Sequence, residues 1–473
     1  MAFVIGVWRL GAPSLWRDEV STIVAARRPW ESLFGMLSEV DAVHGLYFVV
    51  MKLWTSVVGT GSIDVRLPSA VAVAATAVLV VLIGSLLADD HGRSVGVFAG
   101  LALAVLPRTT WLAVEARSYA IAMFLVTLTA YLLLRALRST GRLPWVWYGI
   151  AAVVSVVMFL HSAVVLLAVG IGILALRPGR QALIRFAVAT TAAVLAVVPF
   201  VAMFINQRAM VSWLQPATWS DAAAALVQVP FDTVTAAAAL GWGLALLGLV
   251  QLVRGGATAD DPDRGRGTAV LVGLWAVLPT VLLVGVSLAG LSVYTPRYLA
   301  GTVPGVALAI GFGLAALRPR LAAVVLVVVL ALVAAPNWQA QRADGAKGPW
   351  RQMAAELRSS VAPGDGVLYV TYSPTAGTSR IIPYAYPTAI PPGTVDLTID
   401  EPVARTRHLW ETSLPLAETT GRLAGVDRVW VVGATDRNPR TLTDLATLEA
   451  EGFAPVDTRA FSSGFEITQY ERA

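Results

Sequence analysis

The stretch Ser14-Leu15-Trp16-Arg17-Asp18-Glu19 closes the first apolar run of the chain with two adjacent carboxylic acids. Charge beside hydrocarbon is costly, so acids set where an apolar segment stops need a chemical reason to be there. The remainder of the sequence says what kind of segment this is. Of 473 residues, 56% are hydrophobic and only 14% charged, and the mean hydropathy is +0.69, far above that of a soluble globular chain. The chain reads as a polytopic α-helical membrane protein, with Asp18 and Glu19 at a membrane face.

The net charge of +5 would point to nucleic acid in a soluble protein, but here the arginines sit in short loops between apolar runs. That placement is a topology signal, so nucleic acid is excluded as a partner. Cysteine is absent, which removes disulfides, thiolate metal sites and cysteine nucleophiles from consideration. Lys52 and Lys347 are the two lysines.

A helix needs ~20 apolar residues to cross a hydrocarbon core of ~30 Å. Runs near that length fall at 1–14, 67–88, 94–113, 118–137, 145–162, 163–176, 186–204, 233–253, 268–290, 299–317 and 321–336, about eleven spans. The first is short, and a start that clips a longer first span is the expectation. No cleavable signal peptide is evident. Alternate loops carry Arg93; Arg135, Arg138 and Arg142; Arg177, Arg180 and Arg185; Arg254, Arg264 and Arg266; and Arg318 and Arg320. By the positive-inside rule these are cytoplasmic. Asp18-Glu19, Glu115 to Arg117, His161, Trp213 to Trp219 and Tyr294 to Tyr298 then face outwards. Leu46 to Val58 is apolar but too short to cross, and crossing would invert every later arginine loop. It is expected to lie as an interfacial helix, with Lys52 and Trp54 at headgroup level, inside a first outer loop spanning about 15–66. Trp30 to Leu37 in that loop is amphipathic.

Two domains are expected. Residues 1–336 form the membrane domain. Residues 337–473 turn polar and alternate helix-like and strand-like segments: Trp350 to Ser360, Gly366 to Tyr372, Asp427 to Gly433 and Leu442 to Glu451. They read as a small extracytoplasmic α/β domain without a catalytic motif. Gly255 to Gly267 reads as a flexible connector, and no internal repeat is present.

The outward-facing residues form a chemical set. A carboxylate can take a proton from a hydroxyl, and Asp18 is the candidate base. Glu19 is a second carboxylate, suited to orienting a substrate or to holding a divalent cation such as Mg or Mn, with Asp41 and His44 as the other oxygen and nitrogen donors near it. His44 more readily reads as a structural hydrogen-bonder than as a ligand. Arg117 and Arg297 sit at outer span ends, and a guanidinium fork suits bidentate contact with phosphate, to which Tyr298 or Tyr119 adds a hydroxyl donor. Headgroup anchoring is the competing reading for both arginines. Tyr47 is a further candidate for substrate contact, His161 reads as structural, and Trp213 and Trp219 read as an interfacial belt.

Trp16-Arg17-Asp18-Glu19 after a first span, then His44-Gly45-Leu46-Tyr47, then Arg66-Leu67-Pro68-Ser69-Ala70 opening the next span, resemble the pattern of GT-C fold glycosyltransferases. The resemblance is to the protein O-mannosyltransferase and aminoarabinose-transferase branch, actinobacterial mannosyltransferases in particular. It covers residues 14–137, more loosely Arg297-Tyr298, and leaves out the C-terminal domain. His44-Gly45 stands where such proteins often have His-Pro-Pro or Lys-Pro-Pro. The resemblance implies a multi-pass plasma-membrane enzyme that transfers a sugar, mannose first, from a polyprenyl phosphate at the outer face with inversion. Asp18 would be its base, Arg117 and Arg297 would hold the donor phosphate, and the acceptor would be a glycolipid, polysaccharide or protein hydroxyl. A transporter or lipid flippase is the alternative, and a membrane-anchored assembly protein a third. Transporters place ionisable groups near the bilayer midplane. Here the spans from residue 67 onwards are nearly free of charge in their middles, which favours chemistry at a surface.

Overall fold

The computed structural model describes residues 1–473 except 89–91, 208–213, 255–261, 374–376 and 435–437. Trp213 and residues 255–261 of the expected connector therefore lie outside the described residues. The chain forms two compact units. One comprises Met1–Leu10, Val43–Tyr47 and Arg66–Gln341; the other comprises Gly11–Ala42, Phe48–Val65 and Arg342–Ala473.

The chain opens with α1 (Ala2–Val7), α2 (Arg17–Arg27), α3 (Trp30–Glu39), α4 (Gly45–Val58) and α5 (Ser62–Leu87). Next come α6 (Gly92–Val105), α7 (Pro107–Ala113), α8 (Tyr119–Leu137), α9 (Leu143–Met158), α10 (Ser162–Leu174) and α11 (Arg180–Asn206). The membrane unit closes with α12 (Trp219–Phe231), α13 (Thr235–Val253), α14 (Pro262–Leu288), α15 (Val303–Ala316) and α16 (Arg320–Gln341).

Among the described residues, seven helices are long and apolar enough to cross a membrane, or eight if α6 and α7 count as one span bent by 64°. The bend falls where Pro107 takes the first position of α7 and cannot donate back into α6. Three expected spans come out shorter. α1 has 6 residues, and α9 and α10 have 16 and 13. α9 stops because the backbone turns extended at Phe159 (φ −161°, ψ 114°). The connector also differs from expectation, since from Pro262 onwards it is already helix. Proline at a first-turn position and Asp263 beside the positive helix end favour that start.

Lipid tails are as apolar as the side chains, so helices in this unit gain little from hydrophobic sorting and pack where small residues let backbones approach. A Cβ on Gly311 of α15 would stand 2.6 Å from the Ala99 methyl and 2.8 Å from the Val95 carbonyl of α6. The arginine-bearing loops gather at one end of the unit. Arg138 donates to the Leu86 carbonyl, Arg185 to Thr140 at 2.7 Å, and Arg177 pairs with Asp263 at 2.7 Å. The contact of Gly311 with the start of α6 brings the end of α15, and so Arg318, to the same face.

In the other unit, the chain after α16 supplies α17 (Trp350–Ser360), α18 (Ile381–Ala385) and α19 (Pro439–Ala450). It also supplies seven strands: β1 (Gly366–Tyr369), β2 (Thr371–Ser373), β3 (Gly377–Thr378), β4 (Val395–Asp396), β5 (Arg428–Ala434), β6 (Phe453–Phe461) and β7 (Phe465–Arg472). Five of these form one sheet in the order β4-β1-β5-β7-β6. β1 pairs in parallel with β4 and β5, Val367 opposite Trp430, while β7 runs antiparallel to β5 and β6. The central β5 is buried along Val429 to Gly433, as a strand covered on both faces requires. Leu368, Leu397, Val431, Leu445, Leu448 and Phe453 make its core. Arg380, nearly buried, donates to both oxygens of Asp396 (2.5 and 2.7 Å) and pairs with Glu411 at 3.5 Å. Burial opposes the charge on Arg380, yet hydrogen bonding to Asp396 and the charges of Asp396 and Glu411 outweigh it and raise its pKa.

Lys52 makes polar contacts within its own unit. Its ammonium caps the end of α2, donating to Ala26 O at 3.2 Å and to Arg28 O, where carbonyls lack helical partners and the helix dipole is negative. Trp54 donates to Asp64 O at 2.8 Å. Trp219, at the start of α12, is 80% exposed, as an interfacial belt residue would be.

Candidate active site

In the membrane unit, five sequence candidates lie together at the end opposite the arginine loops. Arg117 follows a turn fixed by Ser69, whose hydroxyl donates to Glu115 O at 2.7 Å. The same segment carries Arg66, fully buried and donating to Leu10 O at 3.0 Å. The Arg66 to Ala70 motif thus works as scaffold for Arg117. Arg117 Nη2 lies 2.9 Å from His44 Nε2. A guanidinium has only donors, so His44 accepts on Nε2 and is in its neutral form. This agrees with the hydrogen-bonding reading of His44.

Arg297 and Tyr298 are carried on a 3-10 helix, Pro296–Thr302, opened by Pro296. Trp275 of α14 pins it with an indole hydrogen bond to Gly301 O at 2.8 Å. The Arg297 guanidinium stands 5.9 Å from the Tyr119 ring centre and 6.0 Å from that of Tyr298. Phe159 is the hub of the aromatic wall. Its ring stacks on His44 (6.4 Å) and His161 (5.1 Å) and meets Tyr119 and Tyr298 edge-on, each at 5.4 Å. His161 is 4.6 Å from Tyr298, so this histidine belongs to the wall. Sequence reading had no partner for it, because Phe159 and His161 flank a break within one apolar run.

Arg108 is a further arginine at this end that sequence reading did not select. It is buried in α7, donates to Val229 O (3.0 Å) and Gln228 O (2.5 Å), and pairs with Asp232 at 3.2 Å. Asp232 also accepts from Gln341 and Asn337 of α16, each at 3.3 Å. Arg108 therefore ties α7, α12 and α16 together, and its face covers Trp111 at 5.1 Å. Trp111 in turn stacks on Tyr119. Tyr47 is 1% exposed in the first turn of α4.

The acidic pair lies in the other unit. Asp18 and Glu19 occupy the first turn of α2, where the positive helix end favours carboxylates. The extended segment before the helix is held from three sides. Arg351 donates to Ala12 O (2.7 Å) and Gly11 O (2.6 Å), Tyr386 accepts from Leu15 N (2.9 Å), and Ser14 donates to Asp344 O (3.1 Å). The two carboxylates then diverge. Asp18 is partly exposed, whereas Glu19 is 0% exposed and pairs with Lys347 at 3.3 Å. Lys347 also covers the Trp16 ring at 6.0 Å. Neither Lys347 nor Arg351 is signalled by local sequence, since their partners lie more than three hundred positions away.

That pairing bears on the divalent cation considered for Glu19, Asp41 and His44. Among the described residues, no three His, Cys, Asp or Glu side chains group as a metal ion would require, and Glu19 already faces an ammonium.

No protein-family model and no curated protein sequence matches the chain. Solved structures do. ArnT from Cupriavidus metallidurans bound to undecaprenyl phosphate matches with a TM-score of 0.63 at 14% identity, over 99% of this chain and 96% of that one. The apo state of the same protein matches with a TM-score of 0.61 at 14% identity over the same shares, 99% and 96%. The oligosaccharyltransferase of Archaeoglobus fulgidus in its apo form matches with a TM-score of 0.50 at 12% identity, over 98% of this chain and 73% of that one. At such identities what is shared is the fold, and the chain adopts the GT-C architecture expected from its motifs.

Proposed function

We propose that the protein is a membrane glycosyltransferase that moves a sugar, mannose first among the candidates, from a polyprenyl phosphate to an acceptor hydroxyl with inversion. The carrying observation is the cluster of Arg117 and Arg297 against His44, Tyr119, Phe159 and Tyr298. It occurs in a fold in which ArnT has been captured with undecaprenyl phosphate. The arginine loops at the opposite end support an outer-face site in the plasma membrane, and an extracytoplasmic C-terminal α/β domain is part of the same reading.

In this reading the guanidinium groups of Arg117 and Arg297 bind the donor phosphate, with the Tyr298 hydroxyl as a further donor. Their charge stabilises the leaving group as the bond from the anomeric carbon to the phosphate oxygen breaks. Preorganised charge of this kind is commonly the largest rate term, and removing one contact costs on the order of 100-fold or more. Asp18 takes the proton from the acceptor hydroxyl, whose oxygen forms the new bond on the face opposite the phosphate, so the configuration inverts. The burial of the acidic pair supports a division of labour: Asp18 is partly exposed, while Glu19 is buried and pairs with Lys347. Glycolipid, wall polysaccharide and protein hydroxyls are the acceptor classes to be compared.

The test is transfer of labelled mannose from polyprenyl-phosphate mannose by the purified protein into each acceptor class, beside Asp18→Asn. Transfer by wild type and its loss in the variant, with folding intact, is expected. A variant that retains full activity overturns the assignment of the base, and failure of wild type with every lipid-linked sugar and acceptor supplied overturns the transferase reading.

A further inference from the structure

α11 is the least enclosed of the spanning helices. Only 6% of its most apolar window is buried, against 89% for Pro296–Ala316. It packs on α9 through small residues, Gly149 against the Ala189 carbonyl, with Tyr148 bonded to Thr190 at 3.0 Å. Between α9 and α11 this leaves a groove of about 690 Å³ along Gly149, Ile150, Val153 and Ala192, within the range of about 300–1,000 Å³ typical of ligand sites. One end of the groove is charged. Arg142, ahead of the first turn of α9, and Arg185, in the second turn of α11, both line it.

Among the described residues neither arginine pairs with a carboxylate. No Asp or Glu occurs from residue 116 to residue 220. Asp263, the one carboxylate at this end of the unit among the described residues, is engaged by Arg177 (2.7 Å) and Arg266 (3.4 Å). Arg185 donates through Nη1 to Thr140 O at 2.7 Å, which holds its guanidinium over the α8–α9 loop at the groove mouth. An apolar trough that opens sideways into hydrocarbon and ends in two guanidinium groups is complementary to one class of molecule: an acyl chain attached to an anionic headgroup.

We infer that this groove binds an anionic phospholipid from the leaflet on the arginine-rich side, its phosphate between Arg142 and Arg185 and an acyl chain along α9 and α11. Basic recesses between transmembrane helices are sites of anionic lipid recognition. The occupant is distinct from the donor of the proposed reaction, whose phosphate belongs with Arg117 and Arg297 at the opposite end of the unit. The bound lipid fills the seam that protein packing leaves open and holds α11 against α9.

Native mass spectrometry of the full chain, released from detergent after titration with phosphatidylglycerol or phosphatidylcholine, tests this. Wild type is expected to retain phosphatidylglycerol about thirtyfold more strongly, the factor for roughly 1 kcal/mol at each of two arginines. The double variant R142Q/R185Q is expected to lose that preference, and Ala192→Trp, which fills the trough, to lose retention of both lipids. Equal retention of the two lipids by wild type, or an undiminished preference in R142Q/R185Q, overturns the inference. The readout is lipid retention, so it stands or falls separately from sugar transfer.

Discussion

Replacing Lys347 with alanine removes the cation from a pair almost shut off from water, with side-chain exposures of 8% for Lys347 and 0% for Glu19. At their separation of 3.3 Å, two unit charges attract by about 5 kcal/mol at an effective dielectric constant of ~20. Desolvation of both groups offsets much of that in the intact protein, so the pair itself adds little net stability. Removing one partner is different, because the other charge stays buried with its counter-ion gone, at a cost of about 3–5 kcal/mol. For a folded unit of this size each kcal/mol moves the midpoint by roughly 2–4 °C, so Lys347→Ala is expected to melt about 6–20 °C lower. Glu19→Gln should cost a similar amount. The double variant Glu19→Gln/Lys347→Met, with no charge left to strand, should recover most of the loss. The assay is thermal unfolding of the detergent-purified full chain followed by tryptophan fluorescence, with Trp16 beside the pair as a local reporter. A melting point unchanged in Lys347→Ala, or additive losses in the double variant, would refute the reasoning, since both require that the charges not interact.

Arg117→Lys retains the charge but loses the planar fork that meets His44 and, in the proposed reaction, the donor phosphate; transfer is expected to fall on the order of 100-fold while the melting point moves little, and wild-type turnover in this variant would exclude Arg117 from the proposed phosphate site. Gly311→Val places a branched side chain where even a Cβ stands 2.6 Å from Ala99. It is expected to force α15 and α6 apart and lower the yield of folded protein in detergent, an outcome read by size-exclusion chromatography. Arg380→Met leaves Asp396 and Glu411 together without their cation; a loss of about 3–5 kcal/mol is expected, seen as early proteolysis of the C-terminal domain.

Much of this architecture was legible because its signals are local. Runs of apolar residues near membrane length mark the long helices, and the arginines of alternate loops mark one end of the unit, where Arg138, Arg177 and Arg185 are found bonded to neighbouring helix ends and a loop. Trp350 to Ser360 was expected as a helix and forms one with those limits. Span counting fared worse. A helix break such as Phe159 to His161 has no proline or glycine to announce it, and it is made worthwhile by the ring contacts that the turn then gains. The β6–β7 hairpin escaped notice because β6 is largely exposed and lacks an apolar face.

Sequence by itself determined that this is a multi-spanning chain with acids and arginines at the ends of its apolar runs, because burying hydrocarbon-length segments and excluding charge from them are demands met residue by residue. Tertiary structure decided how deeply each of those polar groups is buried and what it meets. Asp18 and Glu19 are neighbours of the same chemical type, and consecutive residues on a helix point about 100° apart. One of them turns towards Lys347, more than three hundred residues away, and is buried, while the other stays partly exposed. The same holds for Arg66, Arg108 and Arg117, alike in sequence as arginines near span ends. Two are spent on backbone carbonyls and the chain's own Asp232, and one lies against His44 in an aromatic wall. Partner choice of this kind depends on contacts between distant segments, which no local pattern encodes.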